Sequence, residues 1–236
     1  MKAMILAAGI GSRLRPLTDA TPKALVEVGG VPMLEHVVRR LEAAGVDDVI
    51  VNVHHHATQV ANFARRRGGR ARVTLSREDD LLLDTGGGLK KAADFFADDK
   101  PFLVHNVDVV SGLDLRALLT AHERGRPLVT LAVQDRPSKR RLAFTPEGRL
   151  LGRAAEGAQP AGTRALAYSC VHAASPRLFE ALTETGVFSL TDAYARLADA
   201  GEDLRAFEWD GYWTDIGDAA KLQAARLRAA ERGLPA

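Results

Sequence analysis

The amino-acid sequence predicts an α/β fold, in which helices cover both faces of a mostly parallel sheet and a small antiparallel addition follows in the C-terminal half. Three observations lead to this prediction. Over residues 1–134, short apolar runs alternate with amphipathic segments, as in parallel sheets covered by crossover helices. From about residue 135, short strands around a turn signal replace this alternation. The chain of 236 residues, 46% of them hydrophobic, can bury a core without a disulfide or a metal.

Hydrophobic periodicity divides the first half into strands and helices. Continuous apolar or β-branched runs predict buried strands, whereas apolar residues three and four positions apart predict helices. The predicted strands are residues 2–8, 49–53, 73–75, 102–104 and 128–133. The predicted helices are residues 32–44, 58–67, 89–96 and 114–122, the first closed by Gly45 and the last capped by Asp114.

The second half begins with a predicted hairpin. Residues 142–144 and 149–152 flank the Pro-Glu-Gly sequence of residues 146–148, which is typical of a tight turn between antiparallel strands. Residues 165–171 predict one further strand, and residues 206–214 contain both tryptophans.

Helix signals follow in the remaining sequence. Ser175 and Pro176 supply a cap residue and a proline for the first helical position, and residues 189–192 match a capping box. The alanine- and arginine-rich residues 218–232 predict a final surface helix. We predict a single domain over residues 1–236, with residues 1–134 and 135–217 as its two halves and residues 218–236 as a C-terminal helix.

Charge and cysteine content exclude several classes of protein. The 32 Lys and Arg against 30 Asp and Glu give a net charge of +2, which provides no general attraction for nucleic acid or an anionic membrane. No apolar stretch approaches the roughly 20 residues of a membrane-spanning helix. The single cysteine, Cys170, excludes an internal disulfide and a four-cysteine zinc site, and it fits a reducing compartment. We therefore expect a cytoplasmic protein without a nucleic-acid or membrane partner; the oligomeric state stays open.

The loop after the first predicted strand is a candidate anion site, because ligands of open α/β sheets bind beyond the carboxyl ends of the strands. Gly9 and Gly11 allow a tight turn that brings backbone N–H groups close to a phosphate, while Ser12 and Arg13 add a donor and a positive charge. Leu14 stands where a dinucleotide fingerprint has its third glycine, and no P-loop Gly-Lys-Ser/Thr follows. An ordinary strand-to-helix turn with solvated arginines is the alternative.

Three charged residues later in the chain extend this candidate site. Lys23 follows a rigid proline at the start of an apolar run, where it can join the arginines around a phosphate chain. Asp108 stands just beyond a predicted strand, and Asp215 is enclosed by large apolar residues. Mg²⁺ needs only one or two carboxylates when substrate phosphates supply the other oxygens. A solvent-facing lysine and a turn-capping aspartate are the alternatives for Lys23 and Asp108.

Three consecutive glycines, residues 86–88, precede the predicted helix at residues 89–96. Such a run loses much conformational entropy on folding, so an ordinary connection has little use for it. We interpret it as a loop whose backbone lies flat against a ring, with a flexible helix entry as the alternative.

In combination these motifs resemble those of the sugar-1-phosphate nucleotidyltransferases, also called nucleotide-sugar pyrophosphorylases. They stand in the family's order: Leu6-Ala7-Ala8-Gly9-Ile10-Gly11-Ser12-Arg13-Leu14, Pro16-Leu17-Thr18, Pro22-Lys23, Asp84-Thr85-Gly86-Gly87-Gly88, Asn106-Val107-Asp108 and Trp213-Thr214-Asp215-Ile216-Gly217. The Thr-Gly-Gly-Gly form and the short chain look most like N-acetylmuramate 1-phosphate uridylyltransferases and mannose or heptose 1-phosphate guanylyltransferases.

The resemblance implies a Rossmann-like three-layer sandwich and a Mg²⁺-dependent transfer of NMP from an NTP to a sugar 1-phosphate. Residues 1–134 would form the nucleotide-binding half and residues 135–217 the sugar-phosphate-binding half. Arg13 would bind the β- and γ-phosphates and Lys23 the α-phosphate as catalytic residues, with Asp108 and Asp215 as metal ligands. The nucleotide-binding residues implied are Ala8, Gly9, Gly11, Ser12, Arg13, Lys23, Thr85, Gly86, Gly87 and Asn106.

The chain departs from the family's pattern mainly on the sugar side. The lysine of the Glu-Lys-Pro motif, which holds the sugar phosphate in larger relatives, has no match here, so Lys139, Arg140 or Arg141 would replace it. A glycosyltransferase would call for Asp-x-Asp where this chain has Asn106-Val107-Asp108. A phosphocholine cytidylyltransferase on the same fold stays open as an alternative, as does a non-catalytic nucleotide-sugar sensor, although a sensor would be expected to lack one of the charged site residues.

Overall fold

The structure is a computed structural model and describes residues 1–154 and 161–235. The strands are β1 (Lys2–Leu6), β2 (Glu27–Val28), β3 (Val31–Pro32), β4 (Asp48–Val53), β5 (Arg72–Arg77), β6 (Phe102–Asn106), β7 (Val109–Ser111), β8 (Val129–Gln134), β9 (Arg141–Phe144), β10 (Leu150–Arg153), β11 (Arg164–Ala174), β12 (Leu204–Glu208) and β13 (Trp213–Asp215). The helices are α1 (Leu17–Ala20), α2 (Met33–Ala43), α3 (Ala57–Arg66), α4 (Asp84–Lys91), α5 (Leu115–Gly125), α6 (Leu178–Ala181), α7 (Leu190–Asp199) and α8 (Ala219–Arg232). Short 3-10 turns cover Ser12–Leu14, Lys23–Leu25 and Ala93–Phe96.

Nine of the described strands form one twisted sheet. Its order is β5-β4-β1-β6-β11-β8-β12, and the hairpin β9-β10 pairs with the first part of β11, on the edge opposite β8. The strands β5, β4, β1 and β6 are parallel, and β12 runs parallel to β8. The strand β11 runs antiparallel to its neighbours, which confirms an α/β fold with an antiparallel portion in the second half.

Helices cover both faces of this sheet, as predicted. Alternate side chains of β1 point to opposite faces: Ala3 and Ile5 join the cluster that packs under α2, α3 and α5. Met4 joins the cluster that packs under α4, α6 and α7. A third, smaller cluster joins α8 to β2 and to the β7–β13 pair. In the described part of the chain, no helix has both the length and the apolar composition to cross a bilayer, and the cytoplasmic location stays a prediction.

Most predicted elements are confirmed to within a few residues, including the β9–β10 hairpin and the Asp114 cap of α5. Three predictions are wrong in detail. The three glycines belong to α4, which begins at Asp84, so they are not a loop. The helix predicted at Ser175 is only the single turn α6, from Leu178. Ser189 precedes α7 without bonding its backbone, because its hydroxyl contacts the Thr191 hydroxyl instead.

Candidate active site

A cavity of about 380 Å³ opens at the carboxyl ends of the central parallel strands. Leu6, the last residue of β1, pairs with Asn52 of β4 on one side and Asn106 of β6 on the other, so three strand ends meet there. The lining comes from these ends, the glycine loop, the start of α4 and one residue before α7. The residues are Leu6, Ala7, Ala8, Gly9, Lys23, Asn52, Leu82, Asp84, Thr85, Asn106, Val107, Asp108 and Val187.

Six of the predicted site residues line this cavity, namely Ala8, Gly9, Lys23, Thr85, Asn106 and Asp108. Gly11 lies beside it at a left-handed φ of 71°, where the Thr18 hydroxyl donates to its carbonyl oxygen at 2.9 Å. Ser12 and Arg13 follow in a 3-10 turn. These contacts close the loop into a compact turn, as expected from its glycines.

Lys23 and Asp108 form a direct ion pair at the edge of the cavity. Lys23 enters from a 3-10 turn after Pro22, whereas Asp108 follows the end of β6. Both side chains are shielded, with 11% and 22% of their surfaces exposed. The phosphate-binding cation and the metal-binding acid that the sequence predicts are therefore neighbours.

Asp215 lies next to Asp108 through strand pairing. The strand β13 runs antiparallel to β7 with Asp215 opposite Val109, and the Ile216 N–H donates to the Asp108 carbonyl oxygen at 2.9 Å. The Asp215 carboxylate accepts from the Gly217 N–H at 2.7 Å and from Lys221 Nζ at 2.6 Å.

Arg13 reaches the same place. A Cβ on Gly217 would lie 2.4 Å from Asp215 Oδ1 and 3.1 Å from Arg13 Nη2, so both side chains crowd this glycine. The absence of a side chain at Gly217 is what allows the arginine and the carboxylate to converge. The structure therefore brings Arg13, Lys23, Asp108 and Asp215 to one end of the sheet.

Cys170 lies near both carboxylates but is not suited to chemistry. Burial raises the pKa of its thiol to about 12, and the charges of Asp108 and Asp215 add to that shift. At neutral pH the thiol is protonated, and a protonated thiol is a poor nucleophile and a poor metal ligand.

The donor set of the two aspartates suits a hard divalent cation, which prefers carboxylate oxygens. Within residues 1–154 and 161–235, no group of three or more His, Cys, Asp or Glu side chains could hold a metal by itself. A cation at Asp108 and Asp215 would therefore take its other oxygens from phosphate and water. This is the arrangement that Mg²⁺ usually adopts with phosphate substrates.

A hydrogen-bonded chain below the cavity was not foreseen from the sequence. Asn52 Oδ1 accepts from the Ala7 N–H at 2.7 Å, while Asn52 Nδ2 donates to the Glu78 carboxylate at 2.7 Å. The other Glu78 oxygen accepts from the Leu83 N–H at 2.9 Å. These hydrogen bonds join the glycine loop to the segment before α4. The polar Asn52 between Val51 and Val53 of β4 is the signal that the sequence offers.

The three glycines bring the start of α4 against the segment that precedes α7. A Cβ on Gly86 would lie 2.3 Å from the Phe188 ring, and one on Gly87 would lie 2.2 Å from the Gly186 carbonyl oxygen. Gly88 likewise has no room for a Cβ, which would meet Asn52 and Glu78. Gly86 and Gly87 are buried and do not line the cavity. Their nucleotide-binding role stays a prediction.

The two residues predicted to hold the sugar phosphate lie outside the cavity. Arg141 is ion-paired with Asp135 at 2.5 Å, and Lys139 is exposed in the loop between β8 and β9. Another arginine of this region, Arg136, stacks on Trp213 near Asp215. The sequence singled out neither this contact nor the Lys221–Asp215 pair, because both depend on how distant segments meet.

Comparison with known proteins gives concordant results. Residues 2–144 match the family described as nucleotidyl transferase. The chain is 35% identical to N-acetylmuramate alpha-1-phosphate uridylyltransferase of Caulobacter vibrioides over 97% of both chains. It is 31% identical to mannose-1-phosphate guanyltransferase of Yarrowia lipolytica, over 92% of this chain but only 61% of that protein.

Solved structures share the fold. A UDP-glucose pyrophosphorylase from Acinetobacter baumannii superposes with a TM-score of 0.83 at 20% identity, covering 99% of this chain and 95% of that one. HddC from Yersinia pseudotuberculosis, complexed with GMP-PN, superposes with a TM-score of 0.79 at 22% identity, covering 96% and 98%. On the strength of its motifs, the match over residues 2–144 and the relative that is similar over nearly its whole length, this chain belongs to the nucleotidyl transferase family.

Proposed function

We propose that this protein transfers NMP from an NTP to a sugar 1-phosphate, giving an NDP-sugar and pyrophosphate. The observation that carries the proposal is the ion pair of Lys23 and Asp108 at the edge of the cavity, with Asp215 and Arg13 beside it. Two cations and two acids at one end of the sheet suit a triphosphate together with a divalent cation. The reaction needs no nucleophile from the protein, since the sugar 1-phosphate supplies it.

The chemistry requires alignment and charge neutralisation rather than a general base. A phosphate oxygen of the sugar 1-phosphate, already ionised at neutral pH, attacks the α-phosphorus in line, and the bond from that phosphorus to the bridging oxygen breaks to release pyrophosphate. Lys23 binds the α-phosphate and Arg13 the β- and γ-phosphates. Backbone N–H groups of the glycine loop hold the nucleotide.

The metal cofactor that we propose is Mg²⁺, held by Asp108 and Asp215. When bound, it would neutralise charge on the phosphates. The two ammonium groups that contact these carboxylates, those of Lys23 and Lys221, would then be free to contact phosphate oxygens instead.

For the substrates we propose UTP with N-acetylmuramate 1-phosphate first. The support is the Caulobacter uridylyltransferase, which matches this chain over 97% of its own length, whereas the mannose-specific relative is matched over 61%. GTP with mannose or heptose 1-phosphate is the second pair, since the relatives from Yarrowia lipolytica and Arabidopsis thaliana carry guanylyl-transfer names.

A pyrophosphate-release screen tests this proposal. ATP, CTP, GTP and UTP are each combined with a panel of sugar 1-phosphates and with phosphocholine, with Mg²⁺ or with EDTA. We expect release with UTP and N-acetylmuramate 1-phosphate, lost in EDTA. Release only with CTP and phosphocholine would replace the proposed acceptor. Nucleotide binding without turnover on any acceptor would indicate a sensor and overturn the proposal.

A further inference from the structure

Arg136 follows the C-terminal end of β8 and stacks on an aromatic ring. Its guanidinium carbon lies 3.5 Å from the centre of the Trp213 ring, and Nη2 donates to the Tyr168 carbonyl oxygen at 3.0 Å. Among the described residues, nothing accepts a hydrogen bond from the buried Nε, and Nη2 makes the side chain's sole hydrogen bond. The guanidinium is therefore held in one orientation with donors to spare.

A hydrogen bond fixes the ring of Trp213, and the ring in turn fixes the orientation of Arg136. The indole N–H donates to the Ser169 carbonyl oxygen at 2.9 Å. That carbonyl lies where the register of β11 against β8 shifts, next to Cys170 at a left-handed φ of 58°. The irregular strand supplies the acceptor that locks the ring under the guanidinium.

The stacked guanidinium lies on the face of β13 that carries Asp215. Residues two apart in a strand point to the same face, so Trp213 and Asp215 share a face, about 7 Å apart along the strand. The charge of Asp215 acts on Arg136, although the two form no ion pair within 4.0 Å. Asp215 is bonded to Gly217 and Lys221 instead. Arg136 is thus a cation near the proposed metal ligand Asp215, and its N–H donors remain available.

The Arg136 guanidinium is half-buried and forms no ion pair with any described residue, so its charge is available to an anionic ligand at this end of the sheet. Its planar array of N–H groups matches the oxygens of a phosphate. The nucleotide phosphates already have Arg13 and Lys23, which come from the N-terminal half. Arg136 comes from the opposite half and does not line the cavity. The remaining phosphate in the proposed reaction is that of the acceptor.

We propose that Arg136 binds the phosphate of the acceptor, the phosphomonoester that attacks the nucleotide, and holds it beside Asp215. This inference rests on the proposed function. It assigns to Arg136 the task that the sequence suggested for Lys139 or Arg141. Arg141 also has a buried Nε without a partner among the described residues, but its charge is paired with Asp135. Lys139 lies exposed in the loop.

Steady-state kinetics on Arg136 variants, with calorimetry for NTP binding, test the inference. We expect Arg136→Met to raise the KM for the sugar 1-phosphate about tenfold or more, and to leave the KM and the dissociation constant for the NTP within about twofold. Arg136→Lys keeps the charge but loses the planar fork, so its KM should lie between those of the parent and Arg136→Met. If Arg136→Met does not fold, the KM of Arg136→Lys for the sugar 1-phosphate tests the inference.

Arg228 offers a matched control. Its guanidinium carbon lies 3.9 Å from the centre of the Tyr212 ring, and its buried Nε also has no partner among the described residues. Tyr212, however, packs against the third, smaller cluster, which joins α8 to β2. Arg228→Met should match the parent in both KM values. Equal changes in both KM values for Arg136→Met, or no change, would overturn the inference while the proposed function stands. No pyrophosphate release by the parent with any pair would overturn the proposed function and this inference with it.

Discussion

Lys23 and Asp108 form a direct ion pair although they come from different segments of the chain, one from the turn after Pro22 and the other from the end of β6. A cation and an acid in contact at the rim of a cavity suit a site in which the cation binds a phosphate group and the acid binds a divalent metal ion beside it. The pairing also keeps two largely shielded charges neutralised.

The first prediction concerns the cation. Lys23→Met should lower kcat for pyrophosphate release by about a hundredfold or more, because charge stabilisation at the reacting phosphate is lost. Lys23→Arg should retain part of the activity. Rapid-quench or coupled assays of pyrophosphate measure the effect, with Lys100→Met, an exposed residue before β6, as the control. A change only in the preference among sugar 1-phosphates would mean that Lys23 contacts the acceptor, and it would contradict this assignment.

The second prediction concerns the two acids. Asp108→Asn and Asp215→Asn should each remove Mg²⁺-dependent release while the far-ultraviolet circular dichroism stays that of the parent, because the amide keeps the shape but loses the charge that binds the cation. Calorimetric titration with Mg²⁺ in the presence of NTP should show weaker binding. Asp199→Asn, at the exposed end of α7, is the control. Activity within a few-fold of the parent would contradict the metal assignment.

Asn52 provides the third prediction. Asn52→Leu keeps the branched shape of the side chain but leaves the Ala7 N–H and a Glu78 oxygen without their partner. The free energy of unfolding should fall by about 1–3 kcal/mol, and the KM for NTP should rise because the glycine loop loses an anchor. Asn62→Leu on α3 is the control, since Asn62 bonds only the exposed Arg65 among the described residues. An unchanged KM for NTP would show that the loop holds its position without Asn52.

Gly86 provides the fourth prediction. In Gly86→Ala the new methyl would lie 2.3 Å from the Phe188 ring and 2.8 Å from the Phe188 carbonyl oxygen, so rotating the ring cannot relieve the clash. The free energy of unfolding in urea should fall by about 1–3 kcal/mol. Gly68→Ala has open space and should change it by about 0.5 kcal/mol at most. Parent-like stability of the Gly86 variant would mean that the Phe188 segment moves freely.

The fold was largely predictable because its helices and strands have strong local signals. The apolar spacing of α2 and the β-branched run of β4 determine those elements before any tertiary contact forms. The place of the three glycines in α4 was not predictable because their role is steric: they allow close approach of Phe188, a residue distant in sequence. A local pattern contains no information on such an approach.

The candidate site was predictable where a motif placed a charge at a strand end, as for Asp108. It was not predictable where partners come from the second half, as for Arg136 on Trp213 and Lys221 on Asp215. Those contacts depend on the pairing of β13 with β7 and on the irregularity of β11, which have no signature in sequence spacing.

Three buried histidines are part of the core. His105 and His172 have no exposed surface and pKa values lowered by burial to about 3, and burial lowers the pKa of His122 to about 4. His172 lies between the hydroxyls of Tyr168 and Tyr194, at 2.6 and 2.8 Å. In the folded protein all three are therefore neutral over the range in which an unfolded histidine, with a pKa of about 6.5, takes up a proton.

The fifth prediction follows from this difference. As the pH falls below about 6.5, the unfolded chain binds protons at these histidines that the folded protein cannot bind. Their contribution to the free energy of unfolding therefore falls with pH below about 6.5 and is constant above it. Each histidine should contribute about 1.4 kcal/mol per pH unit, down to its folded pKa. Urea unfolding between pH 7 and 5 measures the slope. His122→Gln, which can still bond Thr130, should reduce the slope by nearly one proton, whereas the exposed His55→Gln should not. A parent slope below one proton at pH 5.5 would show that the buried histidines titrate in the folded protein.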